Sequence, residues 1–205
     1  IHGGITMAIT INGSSNTISG LAAGGLPDGS IQAADFASGV GGKILQVVSC
    51  TKTDTFSTTD DTVDVTGTDQ AGSGSVWCVK ITPAATSSKI FVQIMLTAHH
   101  ENHHGGIWLY RDSTAIAQST DSTGQQATTK VGINSGTSGG GEHVFTTIPI
   151  LFLDSPSSTS ELTYKVKVGD HGEGGTTYIN RAHTASSWAG SWRGVSTITV
   201  MEIGA

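Results

Sequence analysis

Between Leu162 and Val168 an apolar side chain stands at every second residue, Leu162, Tyr164, Val166 and Val168, with Thr163, Lys165 and Lys167 between them. That is the period of a pleated strand with one buried face, and no helix presents such a pattern as a single stripe. Related runs recur from Lys43 onward: residues 43–52, 62–65, 76–82, 89–98, 107–117, 127–133, 144–153, 176–182 and 195–203, parted by Gly, Ser, Thr and Pro. The stretch 89–98 is almost continuously apolar, which predicts a strand buried on both faces. Only 13% of the residues are charged, and the Lys and Glu that favour long helices are scarce. Strands separated by turn signals at this spacing predict an all-β fold, an antiparallel β-sandwich of jelly-roll type over residues 43–205.

Residues 1–42 follow another rule. Thr10-Ile11-Asn12-Gly13, Thr17-Ile18-Ser19-Gly20-Leu21 and Gly24-Gly25-Leu26-Pro27-Asp28-Gly29-Ser30 hold too little apolar surface to bury themselves. The sparse, regular Ile11, Ile18, Leu21, Leu26 and Ile31 predict an extended anchoring segment that winds against other copies of the chain. Residues 31–37 suit a helical turn with Ser30 as its N-cap, and Ile1 to Thr6 read as a leader or scar ahead of Met7.

A surface this poor in charge is reconciled with solubility if identical subunits bury part of it, so a homo-oligomer is expected. The net charge of −6 and the lack of any Lys/Arg cluster set nucleic acid aside. The longest tight apolar run, Ile148 to Leu153, is far short of the roughly 20 residues of a membrane helix, and no membrane insertion is expected. Cys50 and Cys78 fall on predicted strands and could be cross-strand neighbours; two free buried thiols, in a chain folded in a reducing cytoplasm, is the preferred reading.

The most unusual segment is His99-His100-Glu101-Asn102-His103-His104. His100, Glu101 and His104 stand in the H-E-x-x-H order of zinc hydrolases, a chemistry that needs a helix to aim residues four apart at one metal. Here the segment follows a strand pattern and ends in Gly105-Gly106, which predicts a loop. In an up-and-down strand order, loops 99–106, 134–143 and 169–175 would share one end. That end would gather His99, His100, His103, His104, His143 and His171 with Glu142, Asp170 and Glu173. Such a tip would bind a transition metal (zinc, nickel or iron) or a receptor, and a trimer would bring three copies to one axis. The competing reading is solvated histidines on Gly-rich loops, since no two-ligand spacing here is diagnostic.

A second polar loop holds Trp188 and Trp192 between His183 and Arg193. The indoles could stack on sugar faces while His183 and Arg193 donate hydrogen bonds, or both rings could pack on the core or a neighbouring subunit, the commoner fate of large rings. Asp54, Asp60, Asp61, Asp64 and Asp69 lack the EF-hand order and read as turns. Gly136-Thr137-Ser138-Gly139-Gly140 lacks the strand–turn–helix setting of a nucleophile elbow, and no catalytic residue is expected.

Several stretches carry a resemblance: Gly41-Gly42-Lys43-Ile44-Leu45-Gln46-Val47-Val48, the turn from Ile81-Thr82-Pro83 to Lys89-Ile90, Leu151-Phe152-Leu153-Asp154-Ser155-Pro156, Thr163-Tyr164-Lys165-Val166, Tyr178-Ile179-Asn180-Arg181 and the closing residues 196–203. In these the chain resembles fibre and virion structural proteins of marine phages and cyanophages, and Leu26-Pro27-Asp28-Gly29-Ser30-Ile31 is similar to phage fibre segments. The resemblance implies a virion location after assembly in the host cytoplasm, a trimer, and contacts with other virion proteins through the N-terminal segment. Its loops would then meet a host glycan or protein, as in a tail-fibre adhesin. A decoration, head-fibre or filament-forming protein is the alternative within that class; outside it stand a carbohydrate-binding module on Trp188 and Trp192 and, last, a zinc hydrolase. The histidine-rich insertion departs from the family pattern.

Overall fold

Alternating residues become strands here because each registers its apolar half against a facing sheet. The structure is a computed structural model, and it describes residues 10–12, 17–19, 43–67, 75–101, 105–119, 131–133, 144–170, 174–184 and 192–204. The chain divides into two units, residues 1–41 and 42–205. In the first, β1 (Thr10–Asn12) and β2 (Thr17–Ser19) pair antiparallel, with Ile11 opposite Ile18. Leu21, Leu26, Ile31 and the 31–37 turn lie outside the described residues.

The second unit continues with β3 (Ile44–Lys52), β4 (Phe56–Thr58), β5 (Val63–Asp64), β6 (Thr66–Gly67), β7 (Ser75–Val76), β8 (Cys78–Ile81) and β9 (Lys89–His100). It closes with β10 (Gly105–Arg111), β11 (Thr114–Ile116), β12 (Val131–Ile133), β13 (Thr146–Asp154), β14 (Leu162–Asp170), β15 (Thr177–Ile179) and β16 (Ser196–Ile203). No helix occurs among the described residues.

Two antiparallel sheets result. In the first, β9 has β13 on one side and β16 then β15 on the other, with β3 and β4 outermost. In the second, β10 has β11 and β12 on one side and β14 on the other, flanked in turn by β8 and β5. The long strands change sheet in chain order: β3 first, β8 second, β9 first, β10 second, β13 first, β14 second, β16 first. This is the double Greek key of a jelly roll. The jelly-roll type read from the sequence is what forms, whereas the simple up-and-down order considered for placing the loops is not, and local pattern is silent between the two because both use the same alternating strands.

Ile90, Val92, Ile94, Leu96 and Ala98 of β9 face Ile107 and Leu109 of β10 and Leu162, Tyr164, Val166 and Val168 of β14 in one core. Each such side chain contributes about 1.5–3 kcal/mol when buried, so a one-residue slip that turned β9 inside out is strongly disfavoured. The outer face of β9 differs from expectation: Phe91 and Gln93 are half-buried and Met95 is exposed, because among the described residues of this unit no second layer covers this sheet. Residues 107–117, read as one strand, form a hairpin instead, reversed at Asp112 with φ 54°. Neither cysteine is in a disulfide: Cys50 is buried in β3, and Cys78 is only half-buried in β8 of the other sheet. Burial pushes the Cys78 thiol up despite nearby Lys80.

Candidate functional site

The strand ends that flank the histidine-rich segment do meet at one end of the sandwich. Gly105 pairs with both Asp170 and Ile133, Thr177 pairs with His100, and Thr146 pairs with Ala98. The ends of β9, β12 and β14 and the starts of β10, β13 and β15 therefore lie at one level. His103, His104, His143, His171 and Trp188 lie outside the described residues.

Strand alternation then separates the two histidines that are adjacent in sequence. His100 points inward and His99 outward, so one metal ion cannot take both as ligands from a regular strand. His100 and Glu101 also lack the helix that the H-E-x-x-H geometry demands.

On the inner side, His100 is fully buried, with Nδ1 2.9 Å from Thr177 Oγ1 and Nε2 3.5 Å from Asp170 Oδ1. Asp170 Oδ2 accepts hydrogen bonds from the Gly174 and Gly175 N–H groups at 2.6 and 2.9 Å. The imidazole is held between two glycines: a Cβ on Gly105 would come within 2.7 Å of Nδ1, and one on Gly175 within 2.8 Å of Nε2. Acid, imidazole and hydroxyl stand in the order of a hydrolase triad. Thr177 and His100 are both 0% exposed, so the group is closed to solvent and forms a polar plug between strand ends.

On the outer side, β9 and β15 place His99 opposite Tyr178, and their rings lie 5.9 Å apart. The His183 ring lies 5.6 Å from Tyr178 on its other flank, and the Arg181 guanidinium sits 4.5 Å over the phenol ring. Glu101 joins the set: Tyr178 Oη donates to Oε2 at 3.2 Å, and His183 Nε2 lies 3.3 Å from Oε1. Burial holds the His99 imidazole below its ordinary value, opposed by a backbone hydrogen bond at Val144. Burial and the Glu101 charge raise the Tyr178 phenol. The cluster thus offers a neutral imidazole, a phenol, a carboxylate and a guanidinium around one aromatic surface.

Asn180 decides where this surface ends. Residues 176–182, read as one strand, stop at Ile179, and Asn180 takes φ 61°, a left-handed conformation that Asn tolerates better than most residues. Its side-chain amide donates to Lys52 O and Asp54 O, both at 2.9 Å, and its Oδ1 accepts from Ser196 Oγ at 2.6 Å. Its N–H donates to Thr97 O and its carbonyl accepts from Gly194 N–H, each at 2.9 Å. Every polar group of this buried residue is used. The knot lets the chain leave the sheet after β15 and rejoin it as β16 in the same position beside β9, with an Arg181–Arg193 bridge at the neck. Nothing in the sequence around Asn180 marked it, since its partners are far away in the chain.

The neck presents Trp192 with 70% of its surface exposed, so within the chain this ring does not cap the core as expected. Arg193 lies beside it and donates to Trp192 O at 3.4 Å. His183, assigned from sequence to this loop, instead shares the Tyr178 cluster with His99 of the histidine-rich segment. Of the aspartates, Asp54 pairs with Lys52 at 2.5 Å and Asp64 with Lys165 at 3.0 Å, while Asp69 lies outside the described residues.

No protein-family model matches the chain, and no curated protein matches it. Among solved structures it is similar to one described as the structure of infectious bursal disease virus, Gx strain, at 12% identity and a TM-score of 0.34. That match covers 78% of this chain and 37% of the other, so this chain spans well under two thirds of its neighbour's length.

Proposed function

We propose that the chain is a structural and adhesive protein of a virus particle, a tail-fibre or receptor-binding component that works as a homo-oligomer, a trimer in the simplest form. The observation that carries this reading is the strand order. A double-sheet jelly roll is an architecture used by viral capsid and lectin domains, and here it leaves the crossovers after β8 and β13 at one end of a rigid sandwich and gathers those after β9, β12 and β14 at the other. Fold alone does not assign a role, so the residues at that end must supply one. They do so as a contact surface: Tyr178, Arg181, His183 and Glu101 form a mixed aromatic and polar patch next to an exposed indole. Adhesion through many copies needs only modest affinity per copy. Residues 1–42 would anchor the chain to its sister subunits and to other virion proteins.

The direct test is mass spectrometry and antibody labelling of purified particles. The chain is expected in stoichiometric, symmetric copies; its absence from intact particles refutes the reading. A carbohydrate-binding module is the second reading, favoured by Trp192 at 70% exposure, because an indole presented to solvent beside donors suits the apolar face of a sugar ring. Glycan-array binding that survives in the Trp188→Ala, Trp192→Ala double variant would remove it.

A further inference from the structure

The two outer sheet faces are unlike. On the β10–β14 sheet, Lys165 pairs with Asp64 at 3.0 Å, Lys80 with Glu161 at 3.0 Å, and Lys167 lies 4.9 Å over the Tyr110 ring. That face is charged and solvated. On the other sheet the cross-strand register aligns Val47, Met201, Phe91 and Leu153 in one row across all four strands. The next two rows add Leu151 and Met95, and their remaining members are Ser, Thr, Gln and Pro. Across these three rows there is no charged side chain. Val47, Leu151 and Leu153 are each more than half exposed.

We infer that this face is where a second copy of the chain docks, face to face, so that the two outer sheets meet as the inner ones do. Three observations favour a second copy. A chain of net charge −6 repels itself over most of its surface, and an uncharged face is the part that can approach its own image without like-charge opposition. The outer face of these four strands, about 4.8 Å apart and about nine residues long at about 3.4 Å each, projects roughly 600 Å², of which the three uncharged rows are about half, the size of the centre of an interface that buries ~800 Å² per partner. The edge strand β13 carries Pro149, which has no N–H to offer an added strand, so this side is suited to docking by its face rather than by its edge. A face that meets itself about a twofold axis needs no second surface to complement it. The inference rests on the homo-oligomer reading above and adds a contact independent of residues 1–42.

The test uses the full chain in sedimentation velocity over a concentration series. Val47→Glu, Leu153→Glu should weaken self-association about 100-fold or more, since each docked pair would confront four added carboxylates. Thr114→Glu, which adds charge at an exposed position of β11 in the other sheet, should leave association unchanged. Circular dichroism and melting of all variants should match the parent, because the altered positions are exposed. Mixing Leu153→Lys with Leu153→Glu protein should restore association that each lacks alone. Unaltered association of the double glutamate variant overturns the docking face while leaving the particle reading to stand on its own assay. A parent protein that stays a single copy at every concentration overturns both the face and the homo-oligomer.

Discussion

Tyr164 Oη donates a 2.7 Å hydrogen bond to Asp154 Oδ2, joining the end of β13 in one sheet to β14 in the other. Arg111 Nη1 reaches both oxygens of the same carboxylate at 2.8 and 2.7 Å, and the Ser155 N–H adds a bond to Oδ1 at 2.8 Å. This clamp ties the two sheets where the apolar rows run out. Tyr164→Phe keeps the ring and removes one bond to a charged acceptor, so a loss of about 1.5–3 kcal/mol is expected in denaturant unfolding. Asp154→Ala strands three donors at once and should cost about 3 kcal/mol or more. Equal stability of Tyr164→Phe and the parent would show the clamp to be idle.

Burial, then the bond to Asp154 and its charge, raise the Tyr164 phenol far above its ordinary value of 10. A group whose folded value is raised lends stability below its unfolded value that disappears at higher pH. The fold should therefore weaken from about pH 10 upward, and Tyr164→Phe should flatten that alkaline limb.

Glu202 titrates with the opposite sign. Burial alone would raise its carboxyl, but hydrogen bonds from Gln46 Nε2 at 2.6 Å and the Ala84 N–H at 2.7 Å prevail and hold it below its ordinary 4.5. Its stabilisation is present above the unfolded value and fades as pH falls through the lower folded one. Melting temperature should drop below about pH 4.5 in the parent, and Glu202→Gln should lower stability at neutral pH while reducing that acid slope. An unchanged slope would contradict the assignment.

Asn180 should be intolerant of change. Asn180→Ala removes the donor to Lys52 O and Asp54 O and the acceptor for the Ser196 hydroxyl at a buried site, with an expected loss of about 2–4 kcal/mol. Asn180→Asp retains an acceptor for Ser196 but confronts two carbonyls with a carboxylate, and should be no milder. Neck opening is read by faster hydrogen exchange at position 180 and at Gly194, whose N–H groups donate to Thr97 O and to the carbonyl of residue 180.

Gly175→Ala should destabilise by about 1–3 kcal/mol through overpacking, since the added methyl meets Glu101 O at 2.2 Å and the His100 ring at 2.8 Å. Alanine at exposed Trp192, by contrast, should leave melting unchanged and act only on ligand contacts.

Sequence by itself determined the strands and which of their faces turn inward: Leu162, Tyr164, Val166 and Val168 are buried as their alternation requires. Period-two patterning is a local property, and burying apolar area is reason enough for it to appear. It also pointed to a sandwich of jelly-roll type, although the simple up-and-down order considered for its loops is not the one that forms. Tertiary structure alone decided the topology, the separation of His99 from His100 into different clusters, and the partnership of His99 with Tyr178 and His183. Those pairings join residues about eighty positions apart, and the left-handed turn at Asn180 is held by carbonyls more than a hundred positions away. Contacts of that range depend on register between strands, a quantity that no window of neighbouring residues contains.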